Sequence, residues 1–144
     1  MQIEQQIAKV FGGDKVFHHK VKGPLDLDQL IRTGLPWEAG KYIKDALQLK
    51  DSAFAALLGM SLRTFSRQKV GERMSTITGD RLYRIARIYS CAVNVLEDTD
   101  KAVRWLHREQ IGLGGRIPLD MIQTEAGERE VENLLGRIEH GVLS

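Results

Sequence analysis

Apolar residues along this chain recur at intervals of three and four, the spacing that lines up one face of an α-helix. Ile3, Ile7, Val10 and Phe11 fit a short amphipathic helix ended by Gly12-Gly13. Asp26 stands where it can cap a second helix, running through Leu30 and Ile31 and closing at Gly34. Pro36 suits the first turn of a third, with Trp37, Ile43, Ala46 and Leu47 turned inward. Period-two alternation, the mark of a half-buried strand, is nearly absent. Its best instance, KVFHHKVKG, is weak and stops at Gly23-Pro24. The pattern therefore predicts an all-α chain, with residues 1–24 as an N-terminal segment of one short helix and an indefinite loop.

The stretch KDSAFAALLGMSLRTFSRQKVGER carries the sharpest local signals of the first two thirds. Asp51 or Ser52 can cap a helix bearing Phe54, Ala55, Leu57 and Leu58, and Gly59 sits where a left-handed residue stops it. Ser61 offers the next N-cap, for a helix running through Leu62 and Phe65 to Gly71. A small residue where two helices touch (Ala55), a glycine four on and an apolar lock six further (Phe65) make the helix-turn-helix pattern. In that geometry Ser61, Arg63, Thr64, Arg67 and Lys69 face away from the core and are the candidate DNA contacts. Arginine reads guanine edges bidentately, while Lys and Ser suit phosphates. No acidic residue occurs from Ser61 to Gly71. The bland alternative is two bundle helices with a solvated basic face. Gln68 lies where many helix-turn-helix proteins carry an apolar residue, which keeps open a remnant that no longer binds DNA.

Beyond it, TITGDRLYRIARIYSCAVNVLED places Leu82, Ile85, Ala86, Tyr89, Val93 and Leu96 on one stripe of a long helix capped at Thr78. Arg81, Arg84 and Arg87 recur beside it, either tracking a DNA backbone or pairing with acidic groups on a neighbouring helix or subunit. From Asp98 a further helix buries Ala102, Val103 and Leu106 with Trp105 as its anchor. A Gly-rich turn follows, then a short helix opened by Pro118 and a break at Gly127. The last helix aligns Val131, Leu134, Leu135, Ile138 and Val142, and the chain closes on Gly141, Val142, Leu143 and Ser144. Chain ends are ordinarily polar. This apolar tail either closes a small core or docks on another protein.

Charge divides the chain in the same way. Residues 41–96 hold ten Lys/Arg against four Asp/Glu, and residues 97–144 hold six against ten. A basic middle beside an acidic end suits two different partners. At 144 residues, 42% hydrophobic and 28% charged, the composition is that of a globular protein. No apolar run reaches the roughly 20 residues of a membrane span, and MQIEQQIAKVFGG is too polar for a signal peptide. With one cysteine, Cys91, there is no disulfide framework, and a reducing cytoplasm is expected. His18 and His19 cannot share a helix face, and His107 and His140 stand alone, so no metal pair forms. No catalytic constellation, metal or cofactor motif emerges. The expectation is a binding protein, not an enzyme.

The string DRLYRIARIY…AVNVLEDTDKAVRWLHREQIGLGGRIPLDMIQTEAGEREVENLLGRIEHGV closely resembles the C-terminal toxin-binding domain of Xre–MbcA–ParS antitoxins. LLGMSLRTFSRQKVGERMS resembles the Xre-type helix-turn-helix that precedes it in that family. The resemblance covers residues 35–144. It implies an Xre-like helix-turn-helix domain over 25–96, including the long connecting helix, and a small helical toxin-binding domain over 97–144. It further implies the antitoxin of a type II pair, with a cognate RES-domain toxin that destroys NAD, operator DNA of its own promoter, and a homodimer. The extreme C-terminus is then expected on the toxin, through Arg137, Ile138, Glu139, His140, Val142, Leu143 and Ser144. The alternative is a free-standing helix-turn-helix regulator with a dimerising or ligand-sensing C-terminal domain.

Overall fold

A computed structural model describes residues 2–18, 20–68 and 71–141. Among these residues the fold is all-α: α1 Ile3–Val10, α2 Pro24–Thr33, α3 Trp37–Ala46, α4 Asp51–Leu57, α5 Leu62–Ser66, α6 Thr76–Leu96, α7 Thr99–His107, α8 Pro118–Met121 and α9 Glu125–Glu139. The weak alternation at KVFHHKVKG forms no strand among the described residues; Phe17 and Val21 are buried as isolated anchors of a loop. No described helix is long and apolar enough to cross a membrane. Chain contacts divide the molecule into two units, Met1–Ala86 and Arg87–Ser144, with the division falling inside α6.

In the first unit, α1 packs on α2 and α3, and α4 on α5. The core is built on Ile7, Phe11, Leu27, Leu35, Ile43, Leu47, Phe54, Leu58, Leu82 and Ile85. Residues 72–74 lie back along the turn between α2 and α3. The Met74 N–H donates to the Leu35 carbonyl at 2.7 Å, and the Trp37 N–H to that of Glu72 at 3.2 Å. Arg73 adds a side-chain bond to the Gly34 carbonyl at 2.8 Å. These bonds clamp the segment after α5 onto the body of the unit.

Several boundaries differ from the pattern's expectation, each for a local reason. Asp26 does not cap α2. The helix begins three residues earlier than that cap would start it, with Gly23 as N-cap and Pro24 in its first turn, and the Asp26 carboxylate accepts the Lys22 N–H at 2.6 Å. Lys50, rather than Asp51 or Ser52, is the N-cap of α4. Thr78 is the partner of the cap on α6: its N–H donates to the Ser75 hydroxyl at 3.2 Å. α5 ends at Ser66, with Arg67 as C-cap, well short of Gly71.

The second unit buries Ala102, Val103, Leu106, Leu113, Leu119, Ile122, Val131, Leu134 and Leu135. α8 packs between α7 and α9 in the contact order of the unit. Gly127 breaks nothing. It lies in the first turn of α9, where its N–H donates to the capping Thr124 hydroxyl at 3.0 Å. A Cβ there would collide with the Met121 carbonyl, so the glycine permits the tight passage from α8 into α9.

Candidate nucleic-acid and partner interfaces

The turn between α4 and α5 is built as the local sequence requires. Ala55 is buried against the turn, Gly59 takes φ +75°, and the Ser61 hydroxyl accepts the Thr64 N–H at 3.1 Å. Phe65 locks α5 in place through edge-on contacts with Phe54 (5.7 Å between centroids) and Trp37 (6.1 Å). α5 has five residues. A helix that short gains its stability from packing, so this aromatic corner is what holds it.

On that platform Arg63 and Arg67 are exposed, one turn apart, and neither guanidinium has a hydrogen-bond or ion-pair partner among the described residues, Arg67 bonding through its backbone N–H to the Thr64 carbonyl. Unpaired guanidiniums on a fixed helix are free to meet phosphates or guanine edges. Ser61 and Thr64 are also exposed, but they bond to each other, the Ser61 hydroxyl donating to that of Thr64 at 3.0 Å. Their first task is to start the helix. Lys69 lies outside the described residues. Gln68 is half-buried, and its amide donates to the Thr64 carbonyl at 3.0 Å, closing the end of α5 that an apolar residue would leave open. The pattern placed Leu62 with Phe65 among the apolar residues of this helix, yet the two differ in burial. Leu62 is 47% exposed, next in sequence to Arg63.

The arginine row on α6 has intramolecular partners throughout. Arg81 donates to the Leu58 carbonyl at 2.9 Å. Arg84 pairs with Asp80 one turn back at 2.9 Å. Arg87 pairs with Glu132 on α9 at 2.8 Å, within the second unit. Of the three, only Arg87 meets an acidic group on a neighbouring helix; Arg84 pairs within α6 and Arg81 with a backbone carbonyl.

In the second unit, Asp98 caps α7 by accepting the Lys101 N–H at 3.0 Å. That bond is the main reason its carboxyl titrates below the usual 3.8. Cys91 is partly buried; desolvation, then the Glu132 carboxylate, pushes its thiol up to about 11, which makes it inert as a nucleophile at neutral pH. The last turn of α9 leaves Arg137 and Ile138 half-buried and Glu139 and His140 exposed, with Gly141 at φ +72°. The His140 imidazole lies 3.8 Å from the Glu139 carboxylate. Val142, Leu143 and Ser144 lie outside the described residues. Among the described residues no three His, Cys, Asp or Glu side chains converge as a metal site. The pattern gave no weight to Ile111, which is 92% exposed on the turn between α7 and α8.

Known proteins match both units. A family model described as the antitoxin Xre-like helix-turn-helix domain matches residues 26–87. One described as the antitoxin Xre/MbcA/ParS C-terminal toxin-binding domain matches residues 91–141. An Antitoxin Xre from Photorhabdus laumondii is 32% identical over 120 residues, spanning 82% of this chain and 81% of that protein. An Antitoxin Xre from Yersinia enterocolitica is 35% identical over 88 residues, 60% of each chain. Another from Pseudomonas putida is 35% identical over 81 residues, 56% of this chain and 51% of the relative.

Proposed function

This chain belongs to the Xre/MbcA/ParS antitoxin family, and we propose that it neutralises a RES-domain, NAD-degrading toxin and represses its own operon. The observation that carries this reading is the pairing of two matches, to a helix-turn-helix over residues 26–87 and to a toxin-binding domain over 91–141. The toxin's class rests on the resemblance of the sequence to the family. The chain acts in the cytoplasm by binding alone, with no chemical step of its own.

On the DNA side, Arg63 and Arg67 read base edges. Ser61 and Thr64 hold the start of the helix, and Lys69 meets phosphate. The free guanidiniums of the two arginines support this assignment. Two copies related by a two-fold axis place two such helices on a palindromic operator. On the toxin side, the end of α9 and the tail engage the toxin through Arg137, Ile138, Glu139, His140, Val142, Leu143 and Ser144. The functional boundary of this reading is at 96/97, later than the contact division inside α6 and than the start of the toxin-binding match at residue 91.

The test is a growth-rescue experiment with the adjacent gene. That gene is expressed alone, with the full-length chain, and with a chain stopped before Ile138 whose accumulation is checked. Cellular NAD is measured in each. Growth arrest with NAD loss, relieved by the full chain and not by the shortened one, supports the reading. A harmless neighbour overturns it. Equal rescue by both forms overturns the role of the tail. Arrest without NAD loss overturns the toxin's class.

A further inference from the structure

Ile111 is 92% exposed, yet the turn that carries it is held firmly. The Gln110 N–H donates to the Arg116 carbonyl at 3.0 Å, and the Gly115 N–H returns to the Gln110 carbonyl at 2.9 Å. The Gln110 side chain donates to the Trp105 carbonyl at 2.9 Å, tying the turn to the end of α7. Leu113, two residues on, is buried as its anchor. Gly114 and Gly115 take φ +67° and +83°, the backbone that a reversal this tight needs. The side chain of a β-branched residue is thus presented to water on a backbone with little freedom left to lose. A preorganised aliphatic group of this kind is what a binding hot spot requires. Glu109 and Arg116, the residues that flank the Gln110–Gly115 turn, also line a cleft of about 620 Å³ running toward α8 and the start of α9, of which Ile111 is not a wall.

From this geometry we infer that Ile111 is a toxin-contact anchor, separate along the chain from the C-terminal tail, seated in an apolar pocket of the toxin. The occupant is the toxin because the turn lies inside residues 91–141, the stretch matched to a toxin-binding domain. The inference rests on the antitoxin reading above.

The experiment measures binding of the full-length chain to the adjacent gene's product by titration. It compares wild type, Ile111→Ala, Ile111→Asp and Leu25→Asp. Leu25, 85% exposed in the first unit, is the control for loss of a surface aliphatic group. Thermal unfolding and the oligomeric state of each variant are recorded. Burial of one aliphatic side chain corresponds to roughly a 10- to 100-fold loss for Ile111→Ala, and more for the aspartate. The result expected is that loss, with unfolding and oligomeric state unchanged and Leu25→Asp binding as wild type. Equal affinities for wild type and Ile111→Asp overturn the inference alone. So does a change in self-association with toxin binding intact, which would assign the turn to a second copy of this chain. Failure of the wild-type chain to bind overturns the antitoxin reading and this inference with it.

Discussion

The Arg81 guanidinium donates to the Leu58 carbonyl across 2.9 Å, so that α6 closes the C-terminal end of α4. The last carbonyls of a helix have no partner within it, and Leu58 is the C-cap residue of α4. The guanidinium also lies over Gly59, where a Cβ would collide with it. Gly59 is therefore required for its positive φ, while a Cβ there would only displace the flexible end of Arg81 and break its bond to Leu58. Arg81→Ala should destabilise the first unit by about 1–2 kcal/mol, read from urea unfolding. In folded protein, the slope of DNA affinity against salt should stay as in wild type; a reduced slope would place Arg81 on phosphate instead.

Arg63 and Arg67 should behave differently from Arg81. Arg63→Ala or Arg67→Ala should leave unfolding unchanged and cost about 1–3 kcal/mol on the specific site, with relaxed preference at the base each contacts. Lys69→Ala should weaken specific and random DNA alike and lower the salt slope by about one. Competition gel shifts across a salt series separate the two classes. Equal losses on both DNAs for all three variants would rule out base reading by the arginines.

Gly127→Ala should destabilise the second unit more than an ordinary helix substitution, by about 1–3 kcal/mol, because the new methyl meets backbone at Met121 that cannot turn away. Thr124→Ala, which removes the cap on α9, should cost about 1 kcal/mol. Gly136, with open space around its Cβ position, is the control: Gly136→Ala should raise helix stability by up to about 1 kcal/mol. Thermal unfolding of the three variants orders these effects.

Acid should weaken the start of α7 through Asp98. Its carboxyl is held below 3.8 first by the Lys101 N–H, so the unfolded chain takes up the proton more readily than the folded one. The stability it contributes is complete above that ordinary value and is lost as the pH falls through the lowered one. Asp98→Asn keeps a capping oxygen and removes the titration. Urea midpoints between pH 7 and pH 3 should therefore fall less for the variant than for wild type, and less at high salt, since the group is exposed.

Cys91 should resist alkylation. With its thiol pushed up to about 11 from 9.0, the thiolate fraction at neutral pH is roughly a hundredfold below that of a free cysteine. Iodoacetamide should label it slowly in the native protein and at the ordinary rate in urea. Rapid labelling of the folded chain would contradict the burial assigned to it.

Features that close within a turn or two of chain are legible in the residues alone. The all-α class, the Gly12, Gly34 and Gly59 stops, the Ser61 cap and the buried run Phe54–Ala55–Leu57–Leu58 all follow from spacing and backbone chemistry. The pattern misleads where two neighbouring residues offer the same signal. Gly23-Pro24 takes the start of α2 from Asp26, Ser75 takes the cap of α6 from Thr78, and Thr124 makes Gly127 a passage instead of a break. Ser75 and Thr124 are used because their hydroxyls meet the free N–H groups of Thr78 and Gly127, whereas α2 starts with no side-chain cap, its first turn set by Pro24.

By itself the sequence determined most of the helices and the turn between α4 and α5, because hydrophobic period, caps and glycine conformations act over a few residues; the family was legible only through the resemblance of its motifs to known antitoxins. Tertiary structure decided where the charges go. Arg81 meets a carbonyl 23 residues away and Arg87 a carboxylate 45 residues away, while the exposed guanidiniums of Arg63 and Arg67 have no hydrogen-bond or ion-pair partner among the described residues. It likewise decided that Leu113 is buried and Ile111 exposed on one three-residue turn. A one-dimensional pattern places a side chain on a face of its own element. Which groups that face meets depends on how other elements pack against it, and only the packing settles whether an arginine is a structural tie or a free hand.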